Sequence, residues 1–356
     1  MRIALVAPLA ESIPPRGYGG TERVCSWLTE ALVSQGHEVT LFASGDSTTG
    51  ARLVACAPTA LRAAGVRDHT ASLLVMLDRV RRLASDFDVI HFHIDLYQFP
   101  LFRDLACESL TTLHGRLDLP DIHPVYQTFR DMPLVSISDA QRRPLPNANW
   151  LSTVHHGMPG SLISYSERPR TYLAFLGRIS PEKRPDRAIQ IAIAAGLPLR
   201  LAAKIDAVDR EYFDQTIRPY LDHPLIEFVG EINDAQKEDF LGGAKALLFP
   251  IDWPEPFGLV MIEAMAAGTP IIAWPNGSVP EIVEPGLTGF VVDAVDAAVA
   301  ALSACDNLDR GAIRGRFELR FEVQRMAARY LTLYRRLGAQ GNGDAEATRL
   351  KSVAAG

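Results

Sequence analysis

The sequence predicts an α/β protein that consists of two doubly wound halves facing a cleft. Short apolar runs alternate with amphipathic, helix-length segments from one end of the chain to the other. A polar stretch with Pro and Gly at 158–170 separates two such series. With 356 residues, 47% of them hydrophobic, the chain is long enough for about two domains of ~150 residues, each with its own core.

The first series begins with an apolar run at 3–7, which stops at Pro8 and which we interpret as a strand. The next segment has helical spacing, and its apolar face consists of Val24, Trp27, Leu28, Ala31 and Leu32. Further strands are predicted at 38–43, 89–92, 110–113, 134–137 and 152–154, with helices near 70–85 and 121–131. Because helix-length segments separate the strands, right-handed βαβ units and a parallel sheet should result.

The second series repeats this pattern after the polar stretch. Its predicted strands are 171–176, 199–202, 226–229, 246–249, 271–273 and 290–292, and its predicted helices are 185–195, 209–220, 233–241 and 258–267. The last ordered helix has an apolar face made of Val323, Met326, Ala327, Tyr330, Leu331 and Tyr334. We expect the Gly- and Ala-rich tail at 338–356 to be flexible.

Composition excludes several classes of protein. Lys and Arg number 36 against 42 Asp and Glu, so the formal charge of −6 creates no strong field toward nucleic acid or anionic lipid. The four cysteines are far apart and form no Cys-x-x-Cys pair, which favours reduced thiols in the cytoplasm over disulfides or a zinc site. The first apolar run is too short for a signal peptide, and no run of 18 apolar residues predicts a membrane span.

In open α/β sheets, ligands bind beyond the carboxyl ends of the strands, so the loops after strands are the places to search. The loop at 15–22 places Gly17, Gly19 and Gly20 before a helix, where free backbone N–H groups attract anions. The loop is not the dinucleotide fingerprint, because Glu22 stands where that motif needs a third glycine. A nicotinamide dehydrogenase is therefore disfavoured, and a flexible loop fits this segment as well as a ligand loop.

A second loop, at 177–183, carries two cations at the end of a predicted strand. Arg178 and Lys183 are five residues apart and can clamp a pyrophosphate, Arg as a bidentate fork and Lys as a point charge. The alternative is a solvated turn in which Lys183 pairs with Glu182.

A third segment places Glu255 in a loop and Glu263 on the helix that follows. Eight helical steps span about 12 Å, which is similar to the reach of a sugar nucleotide from ribose to sugar. Glu263 can therefore take a ribose diol while Glu255 faces the sugar, and the amides of Phe257, Gly258 and Leu259 point at the diphosphate. The alternative is that Glu263 caps or pairs locally. His114 follows the strand 110–113, and a lone histidine at such a place is more often structural than catalytic, so its role is left open.

These segments resemble the retaining glycosyltransferases of family 4 in the GT-B group, which includes glycogen synthase- and sucrose synthase-like enzymes. The resemblance covers nearly the whole chain. It depends on FLGRISPEK at 175–183, PEPFGLVMIEAMAAGTP at 254–270, GSVPEIV at 277–283 and GLTGF at 286–290. It implies two Rossmann-like domains, 1–160 for the acceptor and 161–318 for the nucleotide sugar, with a helix at 319–337 that crosses back onto the N-terminal domain.

The resemblance also implies roles for single residues. Arg178 and Lys183 would bind the diphosphate, Glu263 the ribose and Glu255 the hydroxyls of the donor sugar. Gly19 and Gly20 would approach the phosphate or the acceptor, and His114 would touch the donor sugar near the reacting centre. Many members have Asn-Gly where this chain has His156-Gly157, so the contact of that position is not carried over.

The implied function is retaining transfer of a hexosyl group from a UDP- or GDP-sugar to a sugar, lipid-linked or small-molecule hydroxyl, with no cofactor required. Asp86-Phe87-Asp88 matches the Asp-x-Asp of metal-dependent glycosyltransferases of another fold, but it precedes a strand, so we reject it as a metal site. The alternatives are a sugar-nucleotide epimerase of the same fold and a non-catalytic nucleotide-sugar-binding protein. We expect a cytoplasmic monomer or homodimer, with peripheral contact at the inner face of the membrane left open.

Overall fold

The computed structural model describes residues 1–165 and 170–354, with side chains described as far as 338. The polar stretch predicted at 158–170 therefore lies partly outside the described residues. The chain divides into two compact units. The first consists of Met1–Ile137, Arg142–His156 and Val323–Gly356, and the second of Ser138–Gln141 and Gly157–Glu322.

The first unit is built on a seven-stranded, all-parallel sheet. Its strands are β1 Arg2–Val6, β2 Glu38–Ser44, β3 Arg52–Ala57, β4 Val89–Phe92, β5 Ser109–Thr112, β6 Leu134–Ser136 and β7 Trp150–Thr153. The order across the sheet is β3-β2-β1-β4-β5-β6-β7. Successive strands are added on one side of β1 up to β3 and on its other side from β4 onward, as in a doubly wound sheet.

The second unit has a six-stranded sheet of the same parallel kind. Its strands are β8 Tyr172–Arg178, β9 Leu199–Lys204, β10 Ile226–Gly230, β11 Ala244–Phe249, β12 Ile271–Ala273 and β13 Gly289–Val291. The order is β10-β9-β8-β11-β12-β13, so β8 and β11 are neighbours and their carboxyl ends meet at one edge. All six strands were predicted, because each is a short apolar run between polar turns.

Helices occupy most of the remaining chain. In chain order they are α1 Gly20–Ser34, α2 Thr70–Arg82, α3 Phe99–Phe102, α4 His123–Thr128, α5 Asp139–Arg142, α6 Pro185–Ala195, α7 Arg210–Tyr212, α8 Asp234–Gly242, α9 Leu259–Ala266, α10 Val279–Ile282, α11 Val295–Cys305, α12 Arg310–Arg320 and α13 Val323–Ala354. Each unit has its own apolar core, which surrounds Phe42, Phe92 and Phe102 in the first and Ile189, Leu199 and Leu201 in the second.

Several elements differ from the prediction, and the helices α11 and α12 were not predicted at all. The strand β3 was missed because it lies at the edge of the sheet, where only part of each face is buried and the alternation of apolar residues is weak. The helix predicted at 209–220 is divided into α7 and irregular helical turns, since Pro219 provides no backbone N–H. The predicted last helix, 319–337, starts later, at Val323, and continues to Ala354.

Helix α13 belongs to the first unit. Its Tyr334 hydroxyl lies 2.7 Å from His91 Nδ1, and its Tyr330 hydroxyl lies 2.9 Å from Thr112 Oγ1. His91 Nε2 lies 2.7 Å from the same threonine hydroxyl. These four buried side chains therefore satisfy one another's polar atoms and fasten α13 to the strands β4 and β5.

Candidate active site

The predicted cations and carboxylates of the second unit lie at the carboxyl edge of its sheet. Arg178 is the last residue of β8, and Lys183 lies just before α6. Glu255 lies in the loop between β11 and α9, and Glu263 is on α9. Because β8 and β11 are neighbours, the two loops meet, although 72 residues separate Lys183 from Glu255 in the sequence.

Lys183 contacts Glu255 directly through its ammonium group. The two side chains are 14% and 10% exposed, so the pair is largely shielded from water. The ammonium nitrogen also lies 4.9 Å from the centre of the Trp253 ring and 5.6 Å from that of Phe249, both within the range of cation–π attraction. The alternative in which Lys183 pairs with Glu182 is wrong, because Glu182 pairs with Arg178.

Arg178 is surrounded by acidic side chains. Its Nη2 donates to Glu182 Oε1 at 2.5 Å, and the carboxylates of Asp206 and Asp209 lie 3.7 Å and 3.6 Å from its guanidinium nitrogens. Its side chain is 30% exposed and thus reachable from solvent. An anionic ligand would therefore have to replace carboxylates at Arg178, as it would at Lys183.

The segment after β12 contacts the backbone of the Glu255 loop and stabilises its conformation. Gly277 has φ +59°, and a Cβ there would lie 2.2 Å from the carbonyl oxygen of Glu255, so only glycine fits. The Ser278 amide donates to that same carbonyl at 2.9 Å, and its hydroxyl donates to the carbonyl of Phe257 at 2.7 Å. The GSVPEIV segment thus supports the Glu255 loop, a role that the sequence alone did not reveal.

Helix α9 begins with its N-terminal amides directed at the same region. Gly258 precedes it with φ +78°, and a Cβ there would lie 2.9 Å from Met261 Cε. The first amides of a helix have no partner within the helix and attract anions. At α9 these are the amides of Leu259 and Val260, because the Met261 amide donates to the Gly258 carbonyl at 3.0 Å. Phe257, which is 2% exposed, anchors the turn before them.

Glu263 lies on α9 and pairs with Lys237 of α8 at 2.6 Å. The side chains are 7% and 12% exposed, and Lys237 also lies 3.1 Å from Asp234. The local pairing that we left open for Glu263 is therefore present. Lys237 was missed, because its partner is 26 residues away and no motif surrounds it.

His114 of the first unit belongs to a cluster of four histidines that we did not predict. Its Nε2 lies 2.8 Å from Nδ1 of His93, and its ring stacks on His156 at 5.2 Å. The His91 and His93 rings are 4.0 Å apart. The signal was present in the sequence, since residue 91 lies in β4 and residue 93 follows its last residue, two positions on, so that both are expected on one face beside β5.

Burial keeps these histidines uncharged. Desolvation lowers the pKa of His114 to about 3 and holds the pKa values of His91, His93 and His156 well below the ordinary 6.5. For the latter three, the neighbouring imidazoles lower the pKa further. At neutral pH the cluster is therefore a set of neutral imidazoles.

The cluster should make folding stability depend on pH. The unfolded chain binds a proton at each histidine below about pH 6.5, whereas the folded chain does not, so stability is constant above that pH and falls below it. For His114 alone, the free energy of unfolding should decrease by about 1.4 kcal/mol per pH unit. Guanidinium unfolding at pH 7.5, 6.5 and 5.5 measures this slope.

One variant separates the cluster from other titrating groups. His114→Asn should reduce the slope by close to one proton. Equal slopes in this variant and in the parent protein would show that His114 is not kept neutral by folding.

A pocket of about 280 Å³ in the first unit opens beside the hydrogen-bonded histidine pair His93 and His114. Its lining includes Glu22, Asp95, Tyr97, His93 and His114. Gly19 and Gly20 directly precede Thr21, which also lines the pocket. Gly20 is the first residue of α1, and a Cβ on Gly19 would lie 2.9 Å from Pro15 Cβ.

Two family models match this chain and together extend from residue 18 to 305. The C-terminal part, 165–305, matches "Glycosyl transferases group 1", and 18–173 matches "Glycosyltransferase Family 4". The chain is a GT-B glycosyltransferase of the family 4 type.

Relatives of this glycosyltransferase include enzymes that act on inositol derivatives. The phosphatidyl-myo-inositol mannosyltransferase of Mycobacterium leprae is 22% identical over 379 residues, which cover 96% of this chain and 98% of the relative. The D-inositol 3-phosphate glycosyltransferase of Streptomyces avermitilis is 32% identical over 154 residues. That alignment covers 40% of this chain and spans only about a third, 33%, of the relative's length.

Solved structures of glycosyltransferases share the fold. AviGT4, a glycosyltransferase involved in avilamycin A biosynthesis, is 25% identical with a TM-score of 0.72, covering 95% of this chain and 98% of its own. The Anabaena protein HepE, solved in complex with UDP and glucose, is 16% identical with a TM-score of 0.68, covering 94% and 99% of the two chains. This second likeness shows the fold alone.

Two further features of the described residues concern metal binding and membrane crossing. Asp88 forms an ion pair with Arg2 at 2.8 Å, before the start of β4. Among the side chains of residues 1–165 and 170–338, no group of three His, Cys, Asp or Glu is placed to hold a metal ion. Within the same ranges, no helix combines the length and the apolar character that crossing a bilayer requires.

Proposed function

We propose that this glycosyltransferase moves a hexosyl group from a nucleotide-diphosphate sugar to a hydroxyl acceptor, with the anomeric configuration retained. The observation that carries the proposal is the contact of Lys183 with Glu255 at the sheet edge where α9 begins. A shielded cation next to a carboxylate offers one group for a diphosphate and one for the hydroxyls of the attached sugar. The second unit would thus hold the donor.

The diphosphate would bind by replacing carboxylates at the cations. Lys183 would exchange part of its contact with Glu255 for a phosphate oxygen, and Arg178 would release Glu182. The freed Glu255 then accepts hydrogen bonds from the sugar. Glu263 would take the ribose diol at the other end of α9, while Phe257, Gly258 and Leu259 present the amides between them.

Breaking the bond between sugar and phosphate places positive charge on the sugar ring and negative charge on the leaving diphosphate. Lys183, Arg178 and the α9 amides would stabilise the leaving group, which is the largest electrostatic contribution in such sites. Metal independence is part of the proposal, because these groups supply the positive charge. We assign no covalent nucleophile, since the glycosidase route needs two carboxylates about 5 Å apart, and Glu255 and Glu263 each pair with a different lysine.

The donor base is proposed as uracil or guanine. The Anabaena protein of the same fold was solved with UDP and glucose, and the Mycobacterium leprae relative is named a mannosyltransferase. The acceptor would be a hydroxyl held by the first unit, with Gly19, Gly20 and His114 near the reacting centre. Free cysteines, two of them buried, fit a cytoplasmic site of action.

A panel of sugar nucleotides tests the proposal. UDP-glucose, UDP-galactose, UDP-N-acetylglucosamine and GDP-mannose should include one that raises the melting temperature, because a ligand at 100 times its Kd adds about 2.7 kcal/mol. The same donor should release its nucleoside diphosphate when an acceptor is added. Conversion of the donor without acceptor would indicate an epimerase, and stabilisation without turnover a binding protein. If neither stabilisation nor release occurs with any donor, the proposal is wrong.

A further inference from the structure

The 280 Å³ pocket of the first unit suits a single small polar ring. Its volume lies just below the ~300–1,000 Å³ range of sites for drug-sized ligands, so a ligand the size of one monosaccharide or cyclitol fits it better than a larger molecule. Its walls combine apolar Leu9, Leu73 and Ile94 with polar Thr21 and Tyr97, the mixture that ring faces and hydroxyls need.

The charged side chains that line this pocket are acidic. Glu22 is 8% exposed, and desolvation raises the pKa of its carboxyl group. Asp95 has φ +59°, and burial raises the pKa of its carboxyl group, which accepts a hydrogen bond from the backbone N–H of His114. No Lys or Arg is present among the described residues of the lining.

The cations that act on Glu22 through space are occupied elsewhere. Arg62 pairs with Glu11 at 2.5 Å, and Arg23 donates to the carbonyl of Gly17 at 2.6 Å. Neither lines the pocket. An anionic group that entered would therefore meet carboxylates without a compensating cation, which is a repulsive contact.

The histidine pair adds a second observation. His93 is 2% exposed, and neither its Nε2 nor His114 Nδ1 has a hydrogen-bond partner among the described residues. Because both rings are neutral and one proton lies in the bond between them, one outer nitrogen is a donor and the other an acceptor. A hydroxyl can pair with either kind of nitrogen, whereas a phosphate oxygen can pair only with the donor.

We infer that this pocket is the acceptor site and that it takes a polyhydroxylated ring without phosphate, with Asp95 placed to favour an amino substituent over an anionic one. The assignment of the pocket as the acceptor site rests on the proposed function. The preference of the pocket for rings without phosphate does not depend on it. It names the class of substrate that the first unit selects: a free sugar, an amino sugar or a cyclitol.

Ligand-observed NMR on the full chain measures the preference directly. The probes are myo-inositol, methyl α-glucoside and glucosamine, each compared with myo-inositol 1-phosphate and glucose 6-phosphate. We expect the rings without phosphate to bind. The Kd of the phosphorylated rings should be at least about tenfold higher, which corresponds to a difference of ~1.4 kcal/mol in binding free energy. Equal or tighter binding of the phosphorylated rings, or no binding of any ring, would overturn the inference.

Three variants locate the effect. Asp95→Asn keeps a side chain that tolerates positive φ and should remove the preference for glucosamine over methyl α-glucoside. The exposed Asp121, outside the lining, supplies the control Asp121→Asn, which should behave as the parent protein does. Gly115→Phe, at a lining position where a Cβ meets nothing within 4 Å, should block every ring. Unchanged ring binding in Gly115→Phe would contradict the inference.

Transfer assays distinguish this inference from the proposed function. If transfer occurs but only to phosphorylated acceptors, the inference is wrong and the function stands. If the rings bind as expected but no donor releases its nucleotide in their presence, the function is wrong and the binding preference stands.

Discussion

Lys183→Ala is expected to lower kcat/KM for glycosyl transfer by about 10²–10³-fold, the loss usually seen when one electrostatic stabiliser of the transition state is removed. The physical reason is that Lys183 is a shielded cation whose partner, Glu255, is the carboxylate placed to bind the donor sugar. The variant would leave Glu255 buried and unpaired, so its stability should also decrease. Steady-state kinetics and the melting temperature measure the two effects.

The chain offers controls that separate catalysis from folding. Lys245 pairs with Asp306 at 2.5 Å at the opposite end of β11, and Lys245→Ala should change stability by less than about 1 kcal/mol and leave activity intact. The double variant Lys183→Ala, Glu255→Gln removes the unpaired charge, so it should recover stability without recovering activity. Full activity in Lys183→Ala would remove this residue from the donor site.

Glu263→Gln is expected to raise KM for the donor by about 10–100-fold with a smaller change in kcat. A carboxylate accepts two hydrogen bonds from a ribose diol, and charge-assisted bonds of this kind contribute about 1.5–3 kcal/mol. The amide keeps the shape of the side chain, and Lys237 retains Asp234 at 3.1 Å, so the fold should persist.

A 2′-deoxy analogue of the donor makes this test specific. The parent protein should bind the analogue more weakly than the donor, whereas Glu263→Gln should bind the two nearly alike, because the partner of the hydroxyl is already lost. Glu231→Gln, an exposed position, is the control and should resemble the parent protein. An undiminished preference for the 2′-hydroxyl in Glu263→Gln would show that Glu263 does not bind the ribose.

The strands of the second unit were predictable because each apolar run is short, buried and bounded by turns. The same reasoning failed for β3, since an edge strand buries too little of either face to show a pattern. Helix α13 belongs to the first unit, and the buried bonds of Tyr330 and Tyr334 give the physical cause.

Side-chain partners at the site could not be predicted in the same way. Lys183 and Glu255 are 72 residues apart, and they meet only because β8 and β11 are neighbours in the sheet. The sequence predicted roles for these cations and carboxylates, but not that Arg178 would be surrounded by acids or that Glu263 would pair with Lys237. His114 was predicted as a lone histidine, and the order of β4 and β5 makes it one of a neutral cluster.

Proton NMR of the anomeric signals tests the central claim most directly. The full chain is incubated with the sugar nucleotide that stabilises it, with and without a ring acceptor, and the spectrum is followed in time. We predict that the nucleoside diphosphate appears at the rate of a new glycoside whose anomeric configuration matches that of the donor. A product of inverted configuration, or nucleotide release that does not depend on the acceptor, would contradict the account.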